Sequence, residues 1–271
     1  MSLSEDLKSE ENESSSELDL TSPISRAFHV LDVVAGFGGP ARFADVQKAS
    51  PLPKATLSRM LRQLEGEGML IFDEGSQRYR LGLRLIRLAH AAWESASLVE
   101  VARPVIDALA ERFGMTVHLA CLDAFQVLYL DKRVPRPIIR MFSSPGRIGP
   151  AYCTGVGKAM LAFLPDRDRE EAIARQSFTR HTPHTLTTPE ALRAVLATIR
   201  ERGFAFDDEE HENTIICVAV PILAPGGAVL GALSVTTTTH VSSLDALAAM
   251  APVLKGAAAD IATAARMQML G

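Results

Sequence analysis

Pro53-Lys54-Ala55-Thr56-Leu57-Ser58-Arg59-Met60-Leu61-Arg62-Gln63-Leu64 is the stretch on which the reading of the whole chain turns. Leu57, Met60, Leu61 and Leu64 recur at helical spacing and give a short helix one apolar side. Lys54, Thr56, Ser58, Arg59, Arg62 and Gln63 lie off that side. Pro53 suits a first helical turn, where no amide donor is needed, and Gly66 and Gly68 mark the end. A helix that packs on one side and presents long donors on the other has the form that lies in a DNA major groove. Arg there reaches guanine edges, while Ser, Thr and Lys reach phosphates. The same pattern also describes a surface helix with a solvated basic face, so the flanking elements decide.

Upstream, Pro23 opens a helical pattern in which Ile24, Ala27, Phe28, Leu31, Val34 and Ala35 share a face, closed by Gly36, Gly38, Gly39 and Pro40. Phe43, Val46 and Ala49 predict a second short helix ended by Pro51. Three helices with a tight connection before the third form a helix-turn-helix pattern. Downstream, Met69 to Phe72 reads as a strand, Asp73 to Ser76 as a turn and Gln77 to Leu81 as the return strand. That hairpin is a wing, and it gives Gln77, Arg78 and Arg80 a use against an adjacent minor groove or backbone.

The net charge of −4 looks wrong for a DNA binder, but its distribution matters more. Glu5, Asp6, Glu10, Glu11, Glu13, Glu17 and Asp19 stand against Lys8 alone in residues 1–20, a Ser- and Glu-rich stretch expected to be a disordered acidic tail. Residues 21–90 are net basic. The sequence shows no run of about 18 uncharged apolar residues and no secretory signal at its acidic N-terminus. Cys121, Cys153 and Cys217 are far apart and form no CxxC pair, which fits a reducing cytoplasm. The expectation is a cytoplasmic protein with no membrane contact, no metal and no cofactor.

Leu83 to Ala92 continues as a helix, and Leu98 to Phe113 as another, interrupted at Pro104. The first reads as a linker with more apolar residues than one small module covers, either for a helix-to-helix dimer contact or for packing within its own chain. From Met115 the period switches to two. Thr116–Leu122, Phe125–Asp131 and Ile138–Phe142 are predicted strands, the first two joined by an Asp123-Ala124 turn. Thr154–Leu164 is a predicted helix, as is Pro189–Arg202 with a Thr187 or Thr188 cap and Gly203 at its end. Ala205-Phe206, Ile215–Ile222 and Ala228–Thr236 are strands, and Leu244–Met267 is a terminal helix. The fold class is α+β, with a largely antiparallel sheet. The expected domains are 1–20 tail, 21–82 winged helix-turn-helix, 83–100 linker helix and 101–271 effector-binding domain.

In this order and spacing, the chain resembles the IclR family of bacterial transcriptional regulators. The carriers are Leu52-Pro53-Lys54-Ala55-Thr56, Tyr79-Arg80-Leu81-Gly82, Thr116-Val117-His118-Leu119, Gly155-Val156-Gly157-Lys158-Ala159, Arg200-Glu201-Arg202-Gly203-Phe204-Ala205, Asp207-Asp208-Glu209-Glu210-His211 and Cys217-Val218-Ala219. The resemblance implies a C-terminal GAF-like domain that binds a small metabolite, often a carboxylic acid. It also implies a homodimer or dimer of dimers on a palindromic operator, with repression of a catabolic operon. Carried over by position, the pocket is lined by Ile138, Met141, Gly155, Val156, Asp207, Ile215, Cys217, Ser234 and Thr236. Amides at Gly155 and Gly157 would attract an anion, and Ser234 and Thr236 alternate onto one strand face as hydroxyl donors. Thr214 and Ile216 depart from the family's usual Gly and polar residue before the cysteine.

Other classes fit less well. Gly155 to Ala159 fails as a phosphate loop, because Tyr152 stands where Gly is needed and Ala159 where Ser or Thr would hold magnesium. The histidines lack metal-ligand spacing; His181 and His184 flank a Pro and read as loop residues. A small-acid hydrolase would need an activated nucleophile; no GxSxG elbow exists, and Cys217 with His118 is the one conceivable pair. A sensor acting through protein partners would leave the basic face of Lys54, Arg59 and Arg62 unused.

Overall fold

Packing of the helix Lys54–Gly66 sets the N-terminal unit. The computed structural model describes residues 20–95, 97–135 and 141–270, and the chain divides into two compact units between Ala92 and Trp93. The first contains α1 (Pro23–Gly36), β1 (Ala41–Arg42), α2 (Phe43–Ala49), α3 (Lys54–Gly66), β2 (Leu70–Asp73) and β3 (Arg78–Leu81). Leu57, Met60, Leu61 and Leu64 of α3 are buried against Val30, Leu31 and Val34 of α1 and Val46 of α2. The buried side of α1 is rotated from the expected one: His29, Val30, Leu31 and Val34 face in, while Ile24 and Phe28 are 69% and 58% exposed. Two apolar stripes overlap on this helix. The one that faces in also carries His29, whose Nε2 meets Ser50 Oγ at 3.1 Å.

Helix α3 ends as its glycines require. Gly68 adopts φ +69°, and the Gly68 and Met69 amides donate to Glu65 O and Leu64 O, both at 2.8 Å, which closes the last carbonyls. The chain then enters the wing, where β2 and β3 pair antiparallel with Asp73 opposite Arg78. Asp73 Oδ1 accepts from the amide and the hydroxyl of Ser76 at 2.7 and 2.8 Å. Strand β1 adds to the other side of β3; at two residues it is too short to leave a periodic signal. After the wing, α4 (Leu83–Ser95) tucks Leu85 against this core and leaves Leu83, Ile86 and Leu88 exposed.

The second unit contains α5 (Ser97–Phe113), β4 (Thr116–Asp123), β5 (Gln126–Arg133), β6 (Ile148–Gly149), α6 (Gly155–Leu161), α7 (Asp166–Ala174), α8 (Pro189–Arg202), β7 (Ala205–Asp208), β8 (Ile215–Leu223), β9 (Val229–Thr238), α9 (Leu244–Ala248) and α10 (Ala251–Leu270). One antiparallel sheet runs in the order β6-β5-β4-β9-β8-β7. Its alternating side chains divide the core. Val117, Leu119, Val218, Val220, Leu233 and Val235 face α5, α9 and α10. Ala120, Val127, Tyr129, Ala219 and Ala232 face the α6–α8 layer. The stretch Leu244–Gln268 is, among the described residues, the one long and apolar enough to cross a bilayer. Its Leu247, Leu254, Ala258 and Ile261 are buried against the sheet, as in a core helix.

The structure departs from the expected elements at several points. Helix α5 runs unbroken through Pro104, held to the sheet by Ala102, Ile106 and Leu109. The hairpin turn is Ala124-Phe125, with φ +47° and +65° and Asp123 paired to Gln126; neither residue advertises a turn of this kind. The terminal helix splits into α9 and α10 just before Pro252, which has no amide to carry the ladder across. Most of the expected third strand, Ile138–Phe142, lies outside the described residues, as does residues 1–19 of the acidic tail; Met141 and Phe142 are irregular chain.

Gly82 fixes where the wing meets α3. Its amide donates to Met69 O at 2.8 Å, and a Cβ there would collide with the Gly68 carbonyl. Gly82→Ala should therefore destabilise the chain by about 1–3 kcal/mol. Urea denaturation measures it, and an unchanged midpoint would contradict the close approach.

Candidate functional site

Strand register builds the site as two neighbouring rows of cross-strand partners. In one row Lys132 on β5 pairs with His118 on β4, His118 with Ser234 on β9, and Ser234 with Ala219 on β8. In the next, Thr116 pairs with Thr236, Thr236 with Cys217, and Cys217 with Asp207 on β7. Paired residues point to the same face, here the face toward α6. The β4–β5 register shifts between Leu119 and Ala120, so Tyr129 pairs with Ala120 while Lys132 pairs with His118. That bulge brings Tyr129 and Lys132, three residues apart, to one face.

Over these rows the structure leaves a narrow cavity of about 30 Å³, well below the usual size of an occupied metabolite pocket. Of the residues expected there, Met141, Val156, Asp207, Ile215, Cys217, Ser234 and Thr236 line it together. Ile138 lies outside the described residues. Gly155 is not in the lining. It is where α6 passes closest to the sheet, and a Cβ there would strike Cys217 Sγ. His118, Tyr129, Ser143, Thr154, His211 and Glu212 also line the cavity. Alternation along Thr116-Val117-His118 placed His118 on the inner face; the other five sit beyond a bulge or in loops, where periodicity gives no signal.

The polar groups are tied to one another. His118 Nδ1 lies 3.2 Å from both Ser234 Oγ and Thr236 Oγ1, and its Nε2 lies 2.7 Å from Ser143 Oγ. Burial, and then the charge of Lys132, push the His118 imidazole down to about 3, so it is neutral. Glu212 accepts the Phe142 amide at 3.1 Å, and the His211 ring packs on Phe142 and His181. The loop that carries these groups is braced by Thr182 and Thr185, whose hydroxyls donate to the Glu209 and Glu210 carbonyls at 2.6 Å. Behind the wall, Lys158 of α6 is fully buried and paired with Glu210. Asp207 Oδ1 accepts the Glu210 amide at 2.8 Å. Burial raises the Asp207 carboxyl to about 7 from an ordinary 3.8, with Lys158 opposing and Glu210 adding to the rise. Among the described residues, no Lys or Arg lines it.

The one conceivable nucleophile and base do not combine. Both His118 nitrogens face hydroxyls, and burial pushes the Cys217 thiol well up, away from thiolate. Cys153 and Cys121 are raised by the same cause.

In the first unit, Lys54, Arg59 and Arg62 are exposed along α3, with Thr56 and Ser58 half-buried beside them. Among the described residues, none of those three cations enters an ion pair. The wing differs from expectation: Gln77 folds back, its Nε2 donating to Glu74 O at 2.8 Å, and Arg78 donates to Pro40 O at 2.9 Å. Arg80 is the exposed wing cation.

A winged helix-turn-helix with a free basic third helix, followed by a sheet domain around a polar-walled cavity, is the design of a ligand-responsive DNA-binding regulator. The chain belongs to the IclR family of bacterial transcriptional regulators. Residues 23–74 match the IclR helix-turn-helix domain, and residues 90–263 match the bacterial transcriptional regulator IclR C-terminal domain. The probable transcriptional regulator SauR of Cupriavidus necator is 31% identical, over 87% of this chain and 94% of its own. The HTH-type transcriptional regulator BhcR of Paracoccus denitrificans is 32% identical, over 88% and 85%. Among solved structures, an IclR homolog from Microbacterium hydrocarbonoxydans complexed with 4-hydroxybenzoate superposes with a TM-score of 0.79 at 26% identity, covering 91% of this chain and 100% of that one. The α+β fold, the DNA-binding function and the C-terminal effector-binding domain are those of the family.

The raised Asp207 carboxyl has a signed consequence. Between about pH 4 and 7 the folded chain holds a proton that the unfolded chain has lost, so this group's stabilising contribution is full below 3.8 and falls as pH rises through 7. Asp207→Asn, always neutral, should gain about 2–4 kcal/mol on wild type between pH 5 and pH 8 in urea denaturation. A gap that does not widen with pH would show Asp207 to be an ordinary carboxylate.

Proposed function

We propose that this regulator represses a catabolic operon and that a small organic acid in the C-terminal cavity releases it from its operator. The observation that carries this reading is the convergence of Met141, Val156, Asp207, Ile215, Cys217, Ser234 and Thr236, from separate elements, on one small cavity. Met141, Val156 and Ile215 form an apolar wall for a short carbon skeleton, and Ser234 and Thr236 face it with hydroxyls. The Microbacterium homolog's bound 4-hydroxybenzoate, an acid with a hydroxyl, supports the class. The ligand acts by preferring one of two arrangements of the chain.

On DNA, α3 enters the major groove with Lys54, Thr56, Ser58, Arg59 and Arg62, and the wing lies beside it, with Arg80 better placed than Gln77 or Arg78. Residues 21–82 form the DNA-binding module, 83–100 the linker and 101–271 the effector domain, in a cytoplasmic homodimer or dimer of dimers on a palindromic site. The exposed Leu83, Ile86 and Leu88 of α4 support self-association.

Fluorescence anisotropy on DNA from upstream of the protein's own gene, with a panel of small acids added to the complex, tests the reading. Specific, salt-sensitive binding relieved by one acid is expected; binding that no acid alters would leave the cavity without this role. Arg59→Ala and Arg62→Ala should each cost about 1–3 kcal/mol of specific affinity if they read bases, and unchanged binding in both would remove α3 from the groove. Ser234→Ala should blunt the response to acid while DNA affinity holds; loss of both would make Ser234 a folding residue.

A further inference from the structure

Among the described residues, the cavity wall holds Asp207 and Glu212 and no Lys or Arg. Lys132, a cation facing this side of the sheet, is set back behind Ser143. Its Nζ donates to Ser143 O at 2.7 Å and lies 3.4 Å from Ser143 Oγ. Ser143 Oγ lies in turn 2.7 Å from His118 Nε2, and His118 Nδ1 lies 3.2 Å from Ser234 Oγ and from Thr236 Oγ1.

We propose that Lys132 is a positioning residue for the effector site, fixing the direction of a chain from Lys132 through Ser143 and His118 that leaves the Ser234 and Thr236 hydroxyl protons free to enter the cavity. The direction follows from the inventory of donors. An ammonium only donates, so the Ser143 hydroxyl proton cannot point at Lys132. Among the described residues, its other partner in reach is His118 Nε2. That nitrogen must then accept, which places the single proton of the neutral imidazole on Nδ1. Nδ1–H donates toward the Ser234 and Thr236 oxygens. Those two hydroxyls, 3.4 Å apart, no longer give a proton to the ring and can give it to a ligand. The opposite tautomer would turn the chain round. Nε2–H would donate to Ser143, whose own proton would have no acceptor among the described residues, and Nδ1 would claim a proton from Ser234 or Thr236.

The donor direction defines the ligand more narrowly. The β9 wall becomes a neutral, paired O–H seat for a carboxylate or carbonyl oxygen. Asp207 and Glu212 lie across the cavity as acceptors for a hydroxyl. A hydroxy acid satisfies both ends. Tyr129 adds a further phenol to the lining, and no hydrogen bond among the described residues occupies it.

This inference rests on the cavity being the effector site, but its test needs no effector. The full chain, labelled with 15N-histidine, is examined by long-range 1H–15N correlation, which reports which ring nitrogen carries the proton. His118→Gln identifies the His118 pattern among the seven histidines. Wild type is expected to show the Nδ1–H form at neutral pH. Lys132→Met should move His118 toward the Nε2–H form, and Lys132→Arg, which keeps the donor, should restore Nδ1–H. An Nε2–H ring in wild type overturns the proposal, and this result does not depend on any variant folding. A folded Lys132→Met with an unchanged Nδ1–H ring overturns the role of Lys132. Failure of the effector reading would look different: DNA binding indifferent to every acid, with wild-type His118 still Nδ1–H and the chain of donors intact.

Discussion

The register of the six-stranded sheet is the constraint on which the C-terminal unit depends. Side chains alternate strictly along β4, β8 and β9, so Val117, Val218 and Val235 face one helical layer while His118, Cys217 and Ser234 face the other. A slip of one residue in any of these strands would drive His118 or Ser234 into the apolar layer under α5 and α10, and would turn its valines toward the cavity. The apolar side therefore specifies the polar side. Burial of Leu119, Val220 and Leu233 holds the donors and acceptors of the cavity in rows, with no polar interaction needed to choose the pairing. The exception is the shift in β5, where one extra residue brings Tyr129 and Lys132 to the same face.

Charge is handled in the opposite way, by enclosure. Lys158 and Glu210 are both buried and satisfy each other, and one Glu210 oxygen has no further partner among the described residues. Such a pair gives little net stability, but it fixes the position of α6 against the β7–β8 loop. That loop holds Asp207, His211 and Glu212 at the cavity. Small residues make the approach possible. Gly155 lies where even a methyl group would meet Cys217, and Ala219 lies beneath it.

The sequence made much of this legible where one periodicity dominated. The four buried residues of α3 could be named from spacing alone, as could the strand faces of β4, β8 and β9 and the Thr188 and Gly203 ends of α8. It failed where local signals were short, mixed or overridden. Strands β1 and β6 have two residues each. Helix α7, Asp-Arg-Asp-Arg-Glu-Glu-Ala-Ile-Ala, buries only Ala172 and Ile173 and has almost no apolar face to read. Pro104 looked like a break, yet tertiary packing carries α5 through it. In the cavity, the expected set omits His118, although it sits on regular strand β4, and it omits Tyr129, Ser143, Thr154, His211 and Glu212, which a bulge, a helix cap and irregular loops deliver. The sequence reading of Gly155 rests on its amides, and it carries no signal of the close approach to Cys217 that leaves no room for a side chain.

The buried thiols have a further consequence for the cell that makes this protein. Oxidants and electrophiles attack thiolate, and Cys217 and Cys153 are both enclosed and held protonated by their surroundings. Cys217 lines the cavity, where a thiolate would be open to oxidation. Here the geometry that brings α6 onto the sheet also seals that sulfur. Burial and a raised thiol leave Cys217 and Cys153 little thiolate for an oxidant or electrophile to attack.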